Sequence, residues 1–65
     1  MKKCTAYQTV TYIPSGAISA VELTDTPEEA ITRAKSWQKV GTRAEAVKIE
    51  VDLKTMDLVK TVLFS

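Results

Sequence analysis

The chain has 65 residues, with 9 Lys or Arg against 8 Asp or Glu, a net charge of +1 and a hydrophobic content of 45%. These values describe one small folded domain over residues 1–65 rather than a disordered tail. They argue against a strongly basic nucleic-acid binder and against an acidic DNA mimic. With no His and a single Cys, an intrachain disulfide, a Cys/His zinc site and the commonest general base are all excluded.

No apolar run follows Lys2 and Lys3, because Thr5 and Gln8 interrupt it, so neither a signal peptide nor an anchor is expected. No stretch approaches the ~20 apolar residues of a spanning helix. The expectation is a soluble, cytoplasmic protein with no membrane contact and no cofactor.

Cys4 to Ile13 is rich in Thr, Tyr and Val, residues that fit a pleated surface, and reads as a first strand. Pro14-Ser15-Gly16 reads as a tight turn, with Pro presetting φ and Gly supplying a left-handed position, the chemistry of a hairpin with a bulge. Ala17 to Leu23 returns as a second strand.

Thr26-Pro27-Glu28-Glu29 is a helix start. Thr26 can accept from the Glu29 backbone N–H, and Glu29 can reach back to complete a capping box. Pro at the first helical position loses no bond, and two carboxylates suit the positive end of the helix dipole. Lys35 and Lys39 suit the other end, and Gly41 is a natural stop, so the helix is predicted over 27–40. At 100° per residue, Ala30, Ala34 and Trp37 share a face flanked by Ile31 and Val40. The alanines allow close approach to a sheet, and Trp37 is read as the core anchor. Glu29 and Arg33 form a favourable i,i+4 pair.

Glu45 to Leu53 alternates cleanly, with Val47, Ile49, Val51 and Leu53 one way and Ala46, Lys48, Glu50 and Asp52 the other, which predicts a half-buried strand. Lys54 to Asp57 is the expected turn, and Leu58 to Phe64 the fourth strand. The order is ββαββ: an α+β fold with a four-stranded antiparallel or mixed sheet and one helix on one face. A fully antiparallel sheet requires strand order 2-1-3-4 or 1-2-4-3, and the sequence does not choose between them.

Four strands span roughly 19 Å and one helix covers only ~10–12 Å. The uncovered face is therefore expected to be polar, a role that Lys48, Glu50 and Asp52 fit. Strand 4 breaks the pattern: Leu58, Val62 and Phe64 lie on one side, Val59 and Leu63 on the other. Strand 1 is also mixed, with Val10 and Tyr12 opposite Tyr7 and Ile13. We read Leu58, Val62 and Phe64 as a self-association surface, since a chain this short needs a further source of stability and a homodimer is the commonest one left.

Other constellations read as structural. Cys4, with Lys2 and Lys3 nearby, lacks an identifiable base and orienting acid. It is read as a small buried hydrophobe, so no catalytic residue is assigned. Asp25, Glu28 and Glu29 are accounted for by capping, so no metal is assigned. Tyr7 and Tyr12 fall on opposite faces without flanking Arg or Lys, which disfavours base stacking. Lys35, Lys39 and Arg43 form the one basic grouping, and they are the candidates for a charged contact with a partner protein.

The run Asp25-Thr26-Pro27-Glu28-Glu29-Ala30-Ile31-Thr32-Arg33-Ala34 resembles the helix start in the N-terminal domain of HicB-type antitoxins and other small bacterial and phage hairpin–helix–strand proteins. In size and element order the chain also looks like some phage anti-CRISPR proteins. These resemblances imply a small protein-binding inhibitor or regulator, non-enzymatic and acting by steric occlusion. The alternative they leave is a nucleic-acid-associated accessory or antitoxin-like protein.

Overall fold

The computed structural model describes residues 3–65, with side chains from Cys4 onward. The elements are β1 (Lys3–Tyr12), β2 (Ile18–Thr24), α1 (Pro27–Lys39), β3 (Arg43–Asp52) and β4 (Leu58–Phe64). They form one open antiparallel sheet in the order β2-β1-β3-β4, an α+β fold. This is the first of the two orders that antiparallel pairing allowed. The two ten-residue strands β1 and β3 lie in the middle. The helix carries the chain from the edge strand β2 across β1 to β3.

Local chemistry sets each boundary. Gly16 N–H donates to the Ile13 carbonyl at 2.9 Å and Ile13 N–H to the Ala17 carbonyl at 2.9 Å. Gly16 sits at φ 97°, a left-handed position that suits a residue without Cβ. At the helix start, Thr26 is extended and its hydroxyl accepts from Glu29 N–H at 3.2 Å. The other half of the expected capping box is replaced, because the Glu29 carboxylate lies 3.4 Å from Arg33.

At the helix end, Gly41 N–H donates to the Gln38 carbonyl at 3.1 Å and Thr42 N–H to the Trp37 carbonyl at 3.0 Å. Gly41 is at φ 84°. This is a Schellman motif with glycine in the left-handed position. The β3–β4 turn is closed by Asp52, whose N–H donates to the Asp57 carbonyl and whose carboxylate accepts from Lys54 N–H, both at 2.9 Å.

Successive strand residues point to opposite faces, so the register places every side chain. The core beneath the helix is made of Ala30 and Ala34 from α1 against Ala44 and Ala46 from β3, all buried, with Tyr7, Ile31, Leu63 and Phe64 packed around them. Thr9 and Thr11 of β1 are buried on the same side. Small residues on both layers let the helix backbone approach the sheet. The Thr9 hydroxyl donates directly to the Ala30 carbonyl of the helix at 2.9 Å.

Two expectations about packing are corrected. The helix does not cover the Val47–Ile49–Val51 side of β3; it covers the Ala44–Ala46 side. Lys48 and Glu50 share the helix's face, beyond its end, and pair with each other at 3.4 Å. Trp37 is not the core anchor. It is 39% exposed, at the helix margin, where its indole N–H donates to Glu22 of β2 at 2.9 Å. Arg33 contacts the same carboxylate at 3.2 Å, so the outer edge of the helix is tied to β2 by polar bonds. Val40, expected on the helix flank, is exposed.

Candidate functional site

The sheet face opposite the helix carries the larger apolar side chains. Its rows follow from the register. Leu23, Gln8, Val47 and Val62 run straight across all four strands. Val21 and Val10 lie beside Glu45 in the next row, and Ile18 and Tyr12 beside Arg43 beyond it. On the other side of the central row, Ile49 pairs with Lys60, and Val51 with Leu58.

Val10 and Val47 are already buried by their neighbours in the single chain. The residues on the two outer strands are not: Leu23 is 70% exposed and Leu58 is 63% exposed, with Ile18, Val21 and Val62 also open. The exposed apolar residues thus form two groups, one on each edge strand, on either side of the buried Val10 and Val47 and the polar Gln8, more than the singly scattered apolar side chains of an ordinary protein surface.

One polar cluster interrupts this face, and it is internally satisfied. The Tyr12 hydroxyl donates to Glu45. The same carboxylate lies 3.5 Å from the Lys60 ammonium. The Arg43 guanidinium stacks over the Tyr12 ring at 5.6 Å, a cation–π arrangement. The hydrogen bond to Glu45 raises the Tyr12 pKa above 10.0, with burial and the Glu45 charge adding to the rise and Arg43 opposing it. The bond requires the phenol proton and so favours the neutral form, while partial desolvation and the Glu45 charge disfavour the phenolate.

The residues proposed from sequence are divided by the fold. Leu58 and Val62 lie on the open face, next to Val51 and Val47. Phe64 does not. The β3–β4 register slips between Ala46 and Val47, so that Val62 faces Val47 but Phe64 faces Ala46. Leu63 is the extra residue of a bulge, and the slip turns Phe64 to the helix side. There Phe64 packs on the alanine core beneath Lys35, whose ammonium sits 5.4 Å from the ring.

The basic grouping is divided as well. Lys35 belongs to the helix side and Lys39 to the last helical turn, while Arg43 lies over Tyr12 on the opposite face of the sheet. Sequence reasoning missed Ile18, Val21 and Leu23 as members of the apolar surface. Their signal was present as the apolar members of β2, whose partners in β1 only the pairing reveals.

Cys4 is not buried as expected but is an exposed free thiol near the start of β1, where the strand runs past the helix-covered core; Lys2 and the Lys3 side chain lie outside the described residues. Among the described residues, no three His, Cys, Asp or Glu side chains converge as metal ligands, and no helix is long and apolar enough to cross a membrane. No family model matches the chain, no curated protein is a match to it, and no solved structure matches its fold.

Proposed function

We propose that this chain is a small, non-enzymatic protein-binding module that works in the cytoplasm and uses the helix-free face of its sheet as the binding surface. One observation carries this reading. The helix takes the alanine and threonine side of the sheet, and on the other side Ile18, Val21 and Leu23 of β2 and Leu58 and Val62 of β4 are left exposed. Apolar surface of that extent is stabilised by contact with another protein. Any effect on a target is by occlusion. A regulator or inhibitor of phage or mobile-element type is supported by the resemblance in size and element order noted above.

Hydroxyl-radical footprinting of the chain, alone and in lysate of its source cells, tests the reading. Protection of Leu23, Leu58 and Val62, set against unchanged labelling of the exposed helix-side residue Val59, is the expected outcome. Equal labelling of both faces in every sample would sink it.

A further inference from the structure

We infer that the occupant of the apolar sheet face is a second copy of this chain, the two sheets stacking face to face as a sandwich with both helices outward. The inference rests on the protein-binding reading above and names its partner.

Three features of the face favour a second copy over a foreign protein. The first is area. Central strands of ten residues and outer strands of seven at ~3.3 Å per residue, across four strands about 4.8 Å apart, give roughly 500 Å² of flat surface per copy. Part of this area, at Val10 and Val47, is already buried within one chain, so two copies cover at most about 1,000 Å², near the floor for a specific interface. Edge-to-edge pairing through β2 or β4 would leave this face uncovered.

The second feature is charge. Glu45 and Lys60 neutralise each other at 3.5 Å, and Glu45 also accepts from Tyr12. The Glu45 side chain is only 16% exposed in the single chain. A carboxylate already holding its partners can be covered by apolar side chains without losing a bond. The face therefore offers no unpaired charge in its centre for a charged foreign partner to read, and none that would repel its own copy. Arg43 lies at one end of the face, leaning on Tyr12.

The third feature is the core. Beneath the helix its fully buried cluster is four alanines, with Tyr7, Ile31, Leu63 and Phe64 only partly buried against it, and among the described residues the largest fully buried side chains are Val47 and Thr9. A domain this short needs more apolar burial than that. The one partner present whenever the chain is made is the chain itself, and in a two-fold pair one patch meets the same patch.

Light scattering of the full chain after size exclusion, over about 1 to 100 µM, reads the outcome as a concentration-dependent mass. The expected result is twice the 7.2 kDa chain mass. Val62→Lys and Leu23→Lys, at opposite edges of the face, are expected to weaken association at least ~100-fold; Val59→Lys, on the helix side, leaves it unchanged. A folded wild-type monomer across the range overturns the inference. So do both face variants dimerising as tightly as wild type.

If a face variant unfolds instead, NMR on mixed dimers of labelled and unlabelled wild-type chains decides the matter. Intermolecular contacts between Leu23 or Val62 methyls and the same face of the partner support the sandwich, and their absence overturns it. The footprinting experiment separates the two levels. A monomer whose face is protected only in lysate keeps the binding reading and rejects the second copy. A monomer unprotected everywhere rejects both.

Discussion

Under the helix the sheet presents Thr9, Thr11, Ala44 and Ala46, all buried; on its far side it presents Ile18, Val21, Leu23, Leu58 and Val62, all exposed. The two faces are thus sorted by size as well as by cover. The fully covered residues under the helix are small, with Tyr7 and Phe64 packed around them, and the exposed residues of the far side are large. On the covered side the contact is short-range and backbone-close, as the bond from the Thr9 hydroxyl to the Ala30 carbonyl at 2.9 Å shows. It depends on the absence of bulk. The open side depends on bulk, because what it offers is area. One consequence is that the same substitution should act in opposite senses on the two faces.

Adding volume makes the sharpest test. Ala34 is fully buried between helix and sheet, and Ala34→Leu has no space to enter without lifting the helix. We expect a loss of about 3 kcal/mol, the upper part of the overpacking range. The same enlargement at Ala6, half-buried on the open face opposite Ile49, should be neutral or mildly stabilising, since it adds apolar contact on a face with room. Urea unfolding of the two variants at one protein concentration measures both. Equal losses would mean that the open face is packed as tightly as the covered one.

Removing volume comes next in size. Phe64→Ala takes a half-buried ring from the helix-side core and should cost about 2 kcal/mol, below the range for a fully buried Phe. Val62→Ala, two residues earlier but on the other face, removes much less from the fold of one chain and should act mainly on association. Thermal unfolding and light scattering on the same two variants separate the effects. If Phe64→Ala weakens association as strongly as Val62→Ala, the bulge at Leu63 does not divide the strand as described.

These contrasts also show which parts of the molecule could be read from sequence. The elements could, because their signals are local. Thr26-Pro27 starts a helix, Gly41 ends one, Pro14-Ser15-Gly16 turns a hairpin, and the alternation from Glu45 marks a strand. The choice of face could not, because alternation defines two sides of a strand without saying which one the helix takes. The simple expectation, that the larger apolar side packs inward, fails because the helix itself brings alanines. Ala30 and Ala34 match Ala44, Ala46, Thr9 and Thr11, and that complementarity in size is visible only when residues far apart in the chain are set side by side. The turn of Phe64 away from Leu58 and Val62 rests on a bulge that no Gly or Pro announces. Arg43 parted from Lys35 and Lys39 for a related reason: it is the first residue of β3, and strand parity, not nearness in sequence to the helix end, decides its side.

The smallest expected effect lies where the open face meets the Tyr12–Glu45–Lys60 cluster. The folded chain raises the Tyr12 pKa above 10.0, first through the bond to Glu45. A raised pKa means that the folded state holds the phenol proton more tightly than the unfolded one. The associated stability is therefore fully present below about pH 10, the unfolded value. It is lost as the pH climbs from there through the folded value. Tyr12→Phe removes the titrating group together with its bond, so the stability gap between wild type and variant should be constant from neutral pH to about 10 and should narrow above it. Unfolding curves of both chains on either side of that pH measure the gap, and NMR of the Tyr12 ring carbons follows the titration directly. A gap that stays constant through the alkaline range would mean that Glu45 is held by Lys60 alone. The open face would then carry a less fully satisfied carboxylate, and its burial against another sheet would cost correspondingly more.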